Sequence, residues 1–546
     1  MTSLAIKGDF DTAVQVLRAA AEINSDVEAY VEPDNPSVSG SQTATSLVPA
    51  GSSGRRSLTF AQWDVAADAV AALFVAQGVG RGDPICLLLT SCIDYAICYQ
   101  AAMRLGAVTS GINLRLGPAE QASITARLRP VVSVVDADLV AELAVPPGAG
   151  VVVARSEVSS AIAAALADGR GPTVHLPKLA GDDPVAVVWT SGSTGIPKGA
   201  LFDHRSLAAV AAGTDVLSMP GDRRLSPLPF AHVGYMTRSW DEISHAVTTV
   251  ITPQPWSAAS TARVMLDERI TVAQGVPTQW ALLLRQPLLN SAHMPHLRIA
   301  GTGGSRVPPE LVHQIRTTLG CPVVVRYTST EASLGTGTSP EDPDDVVAET
   351  VGRPVPGVQM ELVDEGALRV GQGEVGRVRL RSAAVMRGYV GDLGLEVHRA
   401  ATAEVLDIDG WLTTGDLGWV GEDGRLRLVG RATEMLIRGG YNVYPAEVEG
   451  ALGDHPAVAQ VAVVGAPDPV LGEVTVAFMV LVAGASEPTI SELRAHCMDR
   501  LADYKAPDRL YVVSELPLTA MAKVDKRALA AQAVIADSAR QGEDAR

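Results

Sequence analysis

The ten residues TSGSTGIPKG at 190–199 combine features that suit a polyphosphate. Gly192, Gly195 and Gly199 let backbone amides turn toward a ligand. Thr190, Ser191, Ser193 and Thr194 add hydroxyl donors, and Lys198 supplies a positive charge. The segment follows the apolar run VAVVW, which places it at the end of a buried strand. A Walker loop needs Ser or Thr after its Lys to hold magnesium. Here Gly199 follows Lys198, which weakens a kinase or GTPase reading. A Gly-x-Gly-x-x-Gly at Gly371, Gly373 and Gly376 has strand-like residues on both sides. It reads as a hairpin turn and leaves a dehydrogenase without its fingerprint.

Further polar clusters lie at the ends of apolar runs: PLPFAHVGYM (227–236), GTGGS (301–305) and YTSTE (327–331). TTGDLGWVGEDGRLRLVGR (413–431), RGGYNVYPAEVE (438–449) and PLTAMAKVDKRAL (517–529) follow in order. Together with the Gly/Ser/Thr loop, this series resembles the ANL superfamily of acyl-CoA synthetases, adenylation domains and luciferases over residues 58–529. The resemblance implies an acid–thiol ligase that joins a carboxylic acid to coenzyme A through acyl-AMP, using ATP, CoA and Mg2+. Such chemistry must bring one anion onto the α-phosphate of another, so positive donors and a metal have to offset their repulsion.

By resemblance, Lys198 and its loop hold the outgoing β and γ phosphates, Thr330 contacts the α-phosphate and Glu331 holds Mg2+. Tyr327 stacks on adenine, with Gly303, Gly304 and Ser305 along the base, and glycine there permits close backbone approach. Asp416 accepts the ribose hydroxyls with Arg431 as its companion, and His232 flanks the acyl pocket and the carboxylate. Lys523 steadies the carboxylate and α-phosphate during adenylation. Arg438, Gly439 and Gly440 begin the loop that lines the pantetheine tunnel during thioester formation. Rotation between the two half-reactions is expected about Thr433.

Three positions depart from the family pattern. Thr433 stands where a charged hinge residue is usual, and Thr328 follows Tyr327 where Gly is usual, which crowds the backbone near the nucleotide. Met521-Ala522-Lys523 replaces the common Ser-Gly-Lys, removing access to positive φ beside the Lys. These changes leave open an enzyme with weakened adenylation, or one that only thioesterifies a supplied acyl-AMP. A stand-alone adenylation enzyme loading a carrier protein and a non-catalytic acyl-nucleotide binder are the other readings. The acid pocket is expected from residues 230–240, 274–279, 301–304 and 333–338. Their small or weakly polar side chains leave room for a long or bulky apolar acid, with no obvious buried cation to read a second carboxylate.

The elements that must carry these motifs alternate along the chain. An Ala-rich helical pattern (64–78), the strand GDPICLLLT and a second helix (95–105) open an α/β rhythm. It recurs as VVSVVDA, GVVVARS, PVAVVWTSG, RLSPLPF, TTVITP, ITVAQGVP, LRIAGTGG and CPVVVRYTST. From about residue 358 alternating strands and turns indicate an antiparallel β section, followed by a compact α+β tail. The expected architecture is a large N-terminal α/β domain, 1–431, with that β section, and a small mobile C-terminal domain, 432–546. Residues 40–55, rich in Ser, Thr, Gly and Pro, read as a loop or insertion.

At 546 residues the chain exceeds what one core supports. Its net charge of −17, with no basic stripe, argues against nucleic acid as a partner. No uninterrupted apolar run approaches a membrane span, and the N-terminus lacks the pattern of a secretory signal, so a cytoplasmic location is expected. Five cysteines without zinc-knuckle spacing read as buried free thiols. The partners implied are the acid and CoA, with assembly as a homodimer left open.

Overall fold

The computed structural model describes residues 4–34, 54–136, 148–190, 197–304, 307–391, 394–439, 441–468, 470–498, 500–519 and 523–544. By mutual proximity they form two compact units. The first comprises residues 1–347, 352–360 and 380–412, and the second 348–351, 361–379 and 413–546. The division expected at 431/432 therefore runs inside the second unit. Residues 40–53 of the expected loop or insertion lie outside the described residues. Arg55, at its end, is anchored to Glu28 and Glu268 at 2.6–3.0 Å.

Two mixed sheets make the first unit. The seven-stranded sheet runs, in spatial order, Gly388–Tyr389, Lys198–Asp203, Pro184–Thr190, Val108–Gly111, Pro84–Leu88, Val132–Val135 and Val151–Ala154. The nine-stranded sheet runs Arg353–Pro354, Thr336–Gly337, Val323–Tyr327, Ile299–Gly303, Val272–Gly275, Arg223–Ser226, Thr248–Ile251, Glu28–Glu32 and Arg56–Thr59. The nine-stranded sheet is parallel at its centre and antiparallel at both margins, whereas the seven-stranded sheet is antiparallel only at the Gly388–Tyr389 edge and parallel through to Val151–Ala154. Parallel strands need helices over their faces, and the sequence supplies them. Helix Phe60–Ala76 begins at a capping box in which Thr59 and Gln62 exchange hydrogen bonds of 2.9 and 3.2 Å. It packs on Ile93–Leu105, which is buried on every side. The guanidinium of Arg104, with no exposed surface, is closed between Asp64 and Asp68.

The second unit holds most of an antiparallel sheet of strands Gln359–Val363, Gly376–Arg381, Leu412–Val420 and Leu426–Arg431. Between the first two the chain reverses at residues 364–368, and residues 371–374, with Gly373 at φ +82°, make a second turn, so the Gly-x-Gly-x-x-Gly lies in a turn between strands. A second sheet joins Tyr441–Val443, Leu436–Arg438, Gly472–Leu481 and Val458–Asp468, with Arg509–Val512 beside Gly472–Leu481. Helices Pro445–Gly453, Ile490–Met498 and Lys526–Asp544 complete this unit. The five cysteines are free and buried. Among the described residues no helix is long and apolar enough to cross a membrane.

Candidate active site

In the first unit, strands Pro184–Thr190 and Lys198–Asp203 form an antiparallel hairpin in which Thr190 pairs with Lys198. The Thr190 hydroxyl donates to the Lys198 carbonyl at 3.3 Å. The Gly/Ser/Thr loop is therefore the hairpin's connection. Ser191, Gly192, Ser193, Thr194 and Gly195 lie outside the described residues. Gly199 is a packing residue and does not line the loop: a Cβ there would lie 2.7 Å from Val187 and 2.8 Å from Val390. Its expected part in turning amides toward a ligand is corrected accordingly.

The Lys198 ammonium lies over the Tyr389 ring, 5.1 Å from its centroid, and 3.6 Å from Glu404. The Tyr389 hydroxyl donates to Glu331 Oε1 at 2.7 Å. Burial, with the Glu331 charge beside it, pushes the phenol pKa well up, so Tyr389 stays a donor. Lys198 and Glu331, 133 residues apart in sequence, thus meet across one aromatic ring. Sequence reasoning missed Tyr389. Its signal was an aromatic after a glycine in VMRGYVG, which has no spacing of its own.

Glu331 and Thr330 are half-buried in the turn that follows strand Val323–Tyr327, with Tyr327 itself buried at the strand end. Ser329 ties this turn by accepting from the amides of Ala332 and Ser333 at 3.1 and 3.0 Å. Thr328 is exposed and does not adopt a positive φ. Gly303 pairs with Arg326 in parallel register, and a Cβ on it would lie 2.3 Å from the Arg326 carbonyl oxygen. Gly304 has φ +81°, and Ser305 lies outside the described residues.

His232 caps the short helix Val233–Met236, its Nδ1 accepting the Gly234 amide at 3.1 Å. The neutral ring therefore carries its proton on Nε2. The segment around it is held by aromatics: Phe230 and Tyr235 stack with centroids 3.6 Å apart, and Tyr99 donates to the Met236 carbonyl at 2.6 Å. Six residues on from His232 stands Arg238, only 14% exposed, donating from Nη1 to Gln274 Oε1 at 2.9 Å. A largely enclosed cation thus lies within these segments, where none was obvious in the sequence. In the sequence Arg238 looks like an ordinary surface charge beside Trp240, and only the sheet above it encloses it.

In the second unit, Asp416 and Arg431 are register partners on adjacent strands, with Nε and Oδ1 3.3 Å apart. Lys523 is close enough for both to act on it. Dehydration and the Arg431 charge lower its pKa, and Asp416 opposes them. The turn bearing Lys523 closes on itself, Thr519 N–H donating to the Lys523 carbonyl at 2.7 Å. Met521 and Ala522 lie outside the described residues. Arg438 forms a two-pronged ion pair with Asp508 at 2.7 and 2.8 Å, which raises its pKa. Gly439 follows at φ +56°, and Gly440 lies outside the described residues. Asp508 carries no motif signal in the sequence.

Among the described residues no group of three or more His, Cys, Asp or Glu could hold a metal ion. The Lys198, Tyr389 and Glu331 cluster suits an anionic ligand that brings its own oxygens, with one carboxylate available to a hard cation. Glycines at the strand ends of a parallel sheet and a Gly/Ser/Thr hairpin in the first unit, and a carboxylate–arginine strand pair in the second, are arrangements found in nucleotide-handling enzymes.

The chain matches the AMP-binding enzyme family over residues 28–390 and the AMP-binding enzyme C-terminal domain over 447–523. An indoleacetate–CoA ligase of Aromatoleum aromaticum is 32% identical over 86% of this chain and 92% of its own length. A sulfoacetate–CoA ligase of Cupriavidus necator is 30% identical over 86% and 91%. The ATP-bound MatB structure from Rhodopseudomonas palustris superposes with a TM-score of 0.81 at 25% identity, covering 95% of this chain and 99% of that one. The chain belongs to the AMP-binding enzyme family, on the CoA-ligase branch of the adenylate-forming superfamily.

Proposed function

We propose that this protein converts a carboxylic acid to its CoA thioester in two steps. The acid carboxylate attacks the α-phosphorus of ATP, forming acyl-AMP and releasing pyrophosphate. The CoA thiol then attacks the acyl carbonyl, releasing AMP. The observation that carries this reading is the meeting of Lys198 and Glu331 at Tyr389, which supports a role for the cation toward departing phosphates and for the carboxylate toward a metal. A magnesium ion on Glu331 and phosphate oxygens would neutralise charge at the transferring phosphoryl group.

Thr330 contacts the α-phosphate, Tyr327, Gly303 and Gly304 hold the adenine, and Asp416 with Arg431 takes the ribose. His232, protonated on Nε2, donates toward the carboxylate. Lys523 offsets the negative charge where the acid meets the α-phosphate; burial and the Arg431 charge lower its pKa, and Asp416 opposes them. Arg438 and Gly439 line the thiol's approach, and Asp508 sets the Arg438 geometry. Alternation of the small domain about Thr433 serves the two steps in turn.

The Met521-Ala522 replacement motivates a second reading, in which only the thioester step survives. Retention of Lys523 near Asp416 and Arg431, in a turn closed by Thr519, supports the full reaction instead. A panel of acids assayed for ATP-dependent pyrophosphate release, and their acyl-adenylates assayed with CoA, separates the two. Pyrophosphate release with at least one acid is expected. Thioester formation from acyl-adenylates without any such release establishes the second reading. Transfer to a carrier protein but not to CoA overturns both.

A further inference from the structure

Arginines that hold this fold together are closed on carboxylates. Arg104 is fully buried between Asp64 and Asp68, and Arg224, 3% exposed, reaches Asp241 at 3.1 Å. Arg238 differs. Among the described residues its one side-chain hydrogen bond goes to the neutral amide of Gln274. Its nearest carboxylate oxygen is Asp241 Oδ2, 3.8 Å from Nε. That carboxylate is already engaged by Arg224 and by His245 at 3.1 Å each, and by the hydroxyls of Thr214 and Ser218 at 2.9 Å each. Arg238 is thus an under-compensated cation. Burial first and Arg224 second push its pKa down to about 10, so it is still charged at neutral pH.

Its surroundings are the ends of parallel strands. Gln274 pairs with Gly301, and Gly303 with Arg326, so these side chains stand on one face of the sheet. Deeper on that face Leu217, Val272, Ile299 and Val324 pack as a buried apolar cluster. At the strand ends Gln274 lies across Gly301, its Cγ 3.2 Å and its Nε2 3.4 Å from where a Gly301 Cβ would sit, with Leu217 at 3.5 Å. Arginine has no acceptor, so Gln274 must turn its oxygen to Arg238 and present its NH2 as a donor. The guanidinium and this amide offer hydrogen-bond donors of the same polarity at the strand ends, on the face that also carries Arg326. A hydrocarbon terminus would desolvate these donors and return nothing for them.

We propose that Arg238 and Gln274 form a second recognition point in the acyl pocket, selecting carboxylic acids that carry an acceptor oxygen, ketone or carboxylate, at the end remote from the reacting carboxylate. The inference rests on the ligase reading for the identity of the pocket and adds its substrate class. The acceptor oxygen displaces the water that otherwise solvates Arg238, and the guanidinium orients the acid with its other carboxylate toward the α-phosphate.

The test uses the full-length enzyme and matched triplets built on hexanoate, octanoate and decanoate: the plain acid, its oxo acid with a ketone next to the terminal carbon, and its α,ω-diacid. Two readouts are taken, kcat/KM for pyrophosphate release and the dissociation constants of the corresponding acyl-sulfamoyl-adenosines, which need no turnover. An oxo acid or diacid is expected to be favoured about tenfold or more over the plain acid of the same length. In Arg238→Met that ratio falls toward one, and Gln274→Met lowers it in the same direction should Arg238→Met fail to fold. Whether ketone or diacid is stronger identifies the source of the oxygen, and either supports the assignment. Equal or preferential use of plain acids, or a ratio unchanged in the folded variant, overturns it. Turnover without preference sinks this inference and leaves the ligase reading standing. Preference among the analogues with no turnover of any acid does the reverse.

Discussion

In the proposed reaction Glu331 is a single carboxylate that would orient toward phosphate-bound metal, and a free glutamate side chain has several rotamers from which to do so. The Tyr389 hydroxyl removes that freedom through one hydrogen bond of 2.7 Å to a charged acceptor. Such a bond contributes roughly 1.5 kcal/mol, or about tenfold in a rate that depends on it. Tyr389→Phe is therefore expected to lower kcat/KM for ATP about tenfold and to raise the Mg2+ concentration needed for half-maximal pyrophosphate release. A variant that loses activity with an unchanged Mg2+ profile would assign Tyr389 to packing under Lys198 alone. The same logic of one side chain fixing another holds for Asp508, which keeps the Arg438 guanidinium planar to its carboxylate beside the Gly439 turn.

At the scale of elements, ligand-facing groups come from strand ends, and the spacing of those strands is set by what their backbones allow. Gly303 and Arg326 pair so closely that the smallest side chain on Gly303 would reach 2.3 Å from the Arg326 carbonyl oxygen. Gly303→Ala must move backbone, because a strand carbonyl cannot rotate aside as a side chain can. The expected cost is about 2 kcal/mol of stability, with weakened adenine-nucleotide affinity as Tyr327 shifts with its strand. Urea unfolding and nucleotide titration of the variant read both, and an unchanged nucleotide affinity would separate the strand spacing from the site. The hairpin under the Gly/Ser/Thr loop is braced in the same manner, with Gly199 admitting Val187 and Val390. This is why one glycine of that motif serves packing while the others stand in its connection.

For the whole molecule, one acid-sensitive point is His204. Its ring is 1% exposed and its Nδ1 accepts the Ala13 amide at 3.2 Å, so a strand-to-helix junction is tied to the first helix through a neutral imidazole. Burial lowers its pKa from 6.5 to about 4, and the Asp183 charge only partly opposes this. A histidine depressed in the folded state stays neutral there while the unfolded chain takes up a proton. Its contribution is intact above pH 6.5 and is lost as pH falls toward 4, roughly 3 kcal/mol in all. Urea midpoints of wild type and His204→Asn should converge across that interval. Parallel pH slopes would show that His204 does not titrate on unfolding.

Much of this molecule was legible along the chain, because strands, glycine turns and runs of hydroxyl and charged side chains are local patterns. The alternation of helix and strand, the turn at Gly373, the buried thiols and the family itself all follow from residues read in order. Lys198, Glu331, Asp416, Arg431 and Lys523 stand out since each sits within a run whose neighbours have meaning. Tertiary structure alone decided which of them meet. Lys198 reaches Glu331 only through Tyr389, and Lys523 joins Asp416 and Arg431 only once the C-terminal turn has folded back on their sheet. The sharpest difference is Arg238, which in sequence is one more charge on a polar stretch. Whether an arginine is a solvated surface group or a buried reader of substrate depends on what covers it and which carboxylates are already taken. Neither is a property of neighbouring residues in the chain, because burial and charge compensation come from strands and helices brought together from far apart.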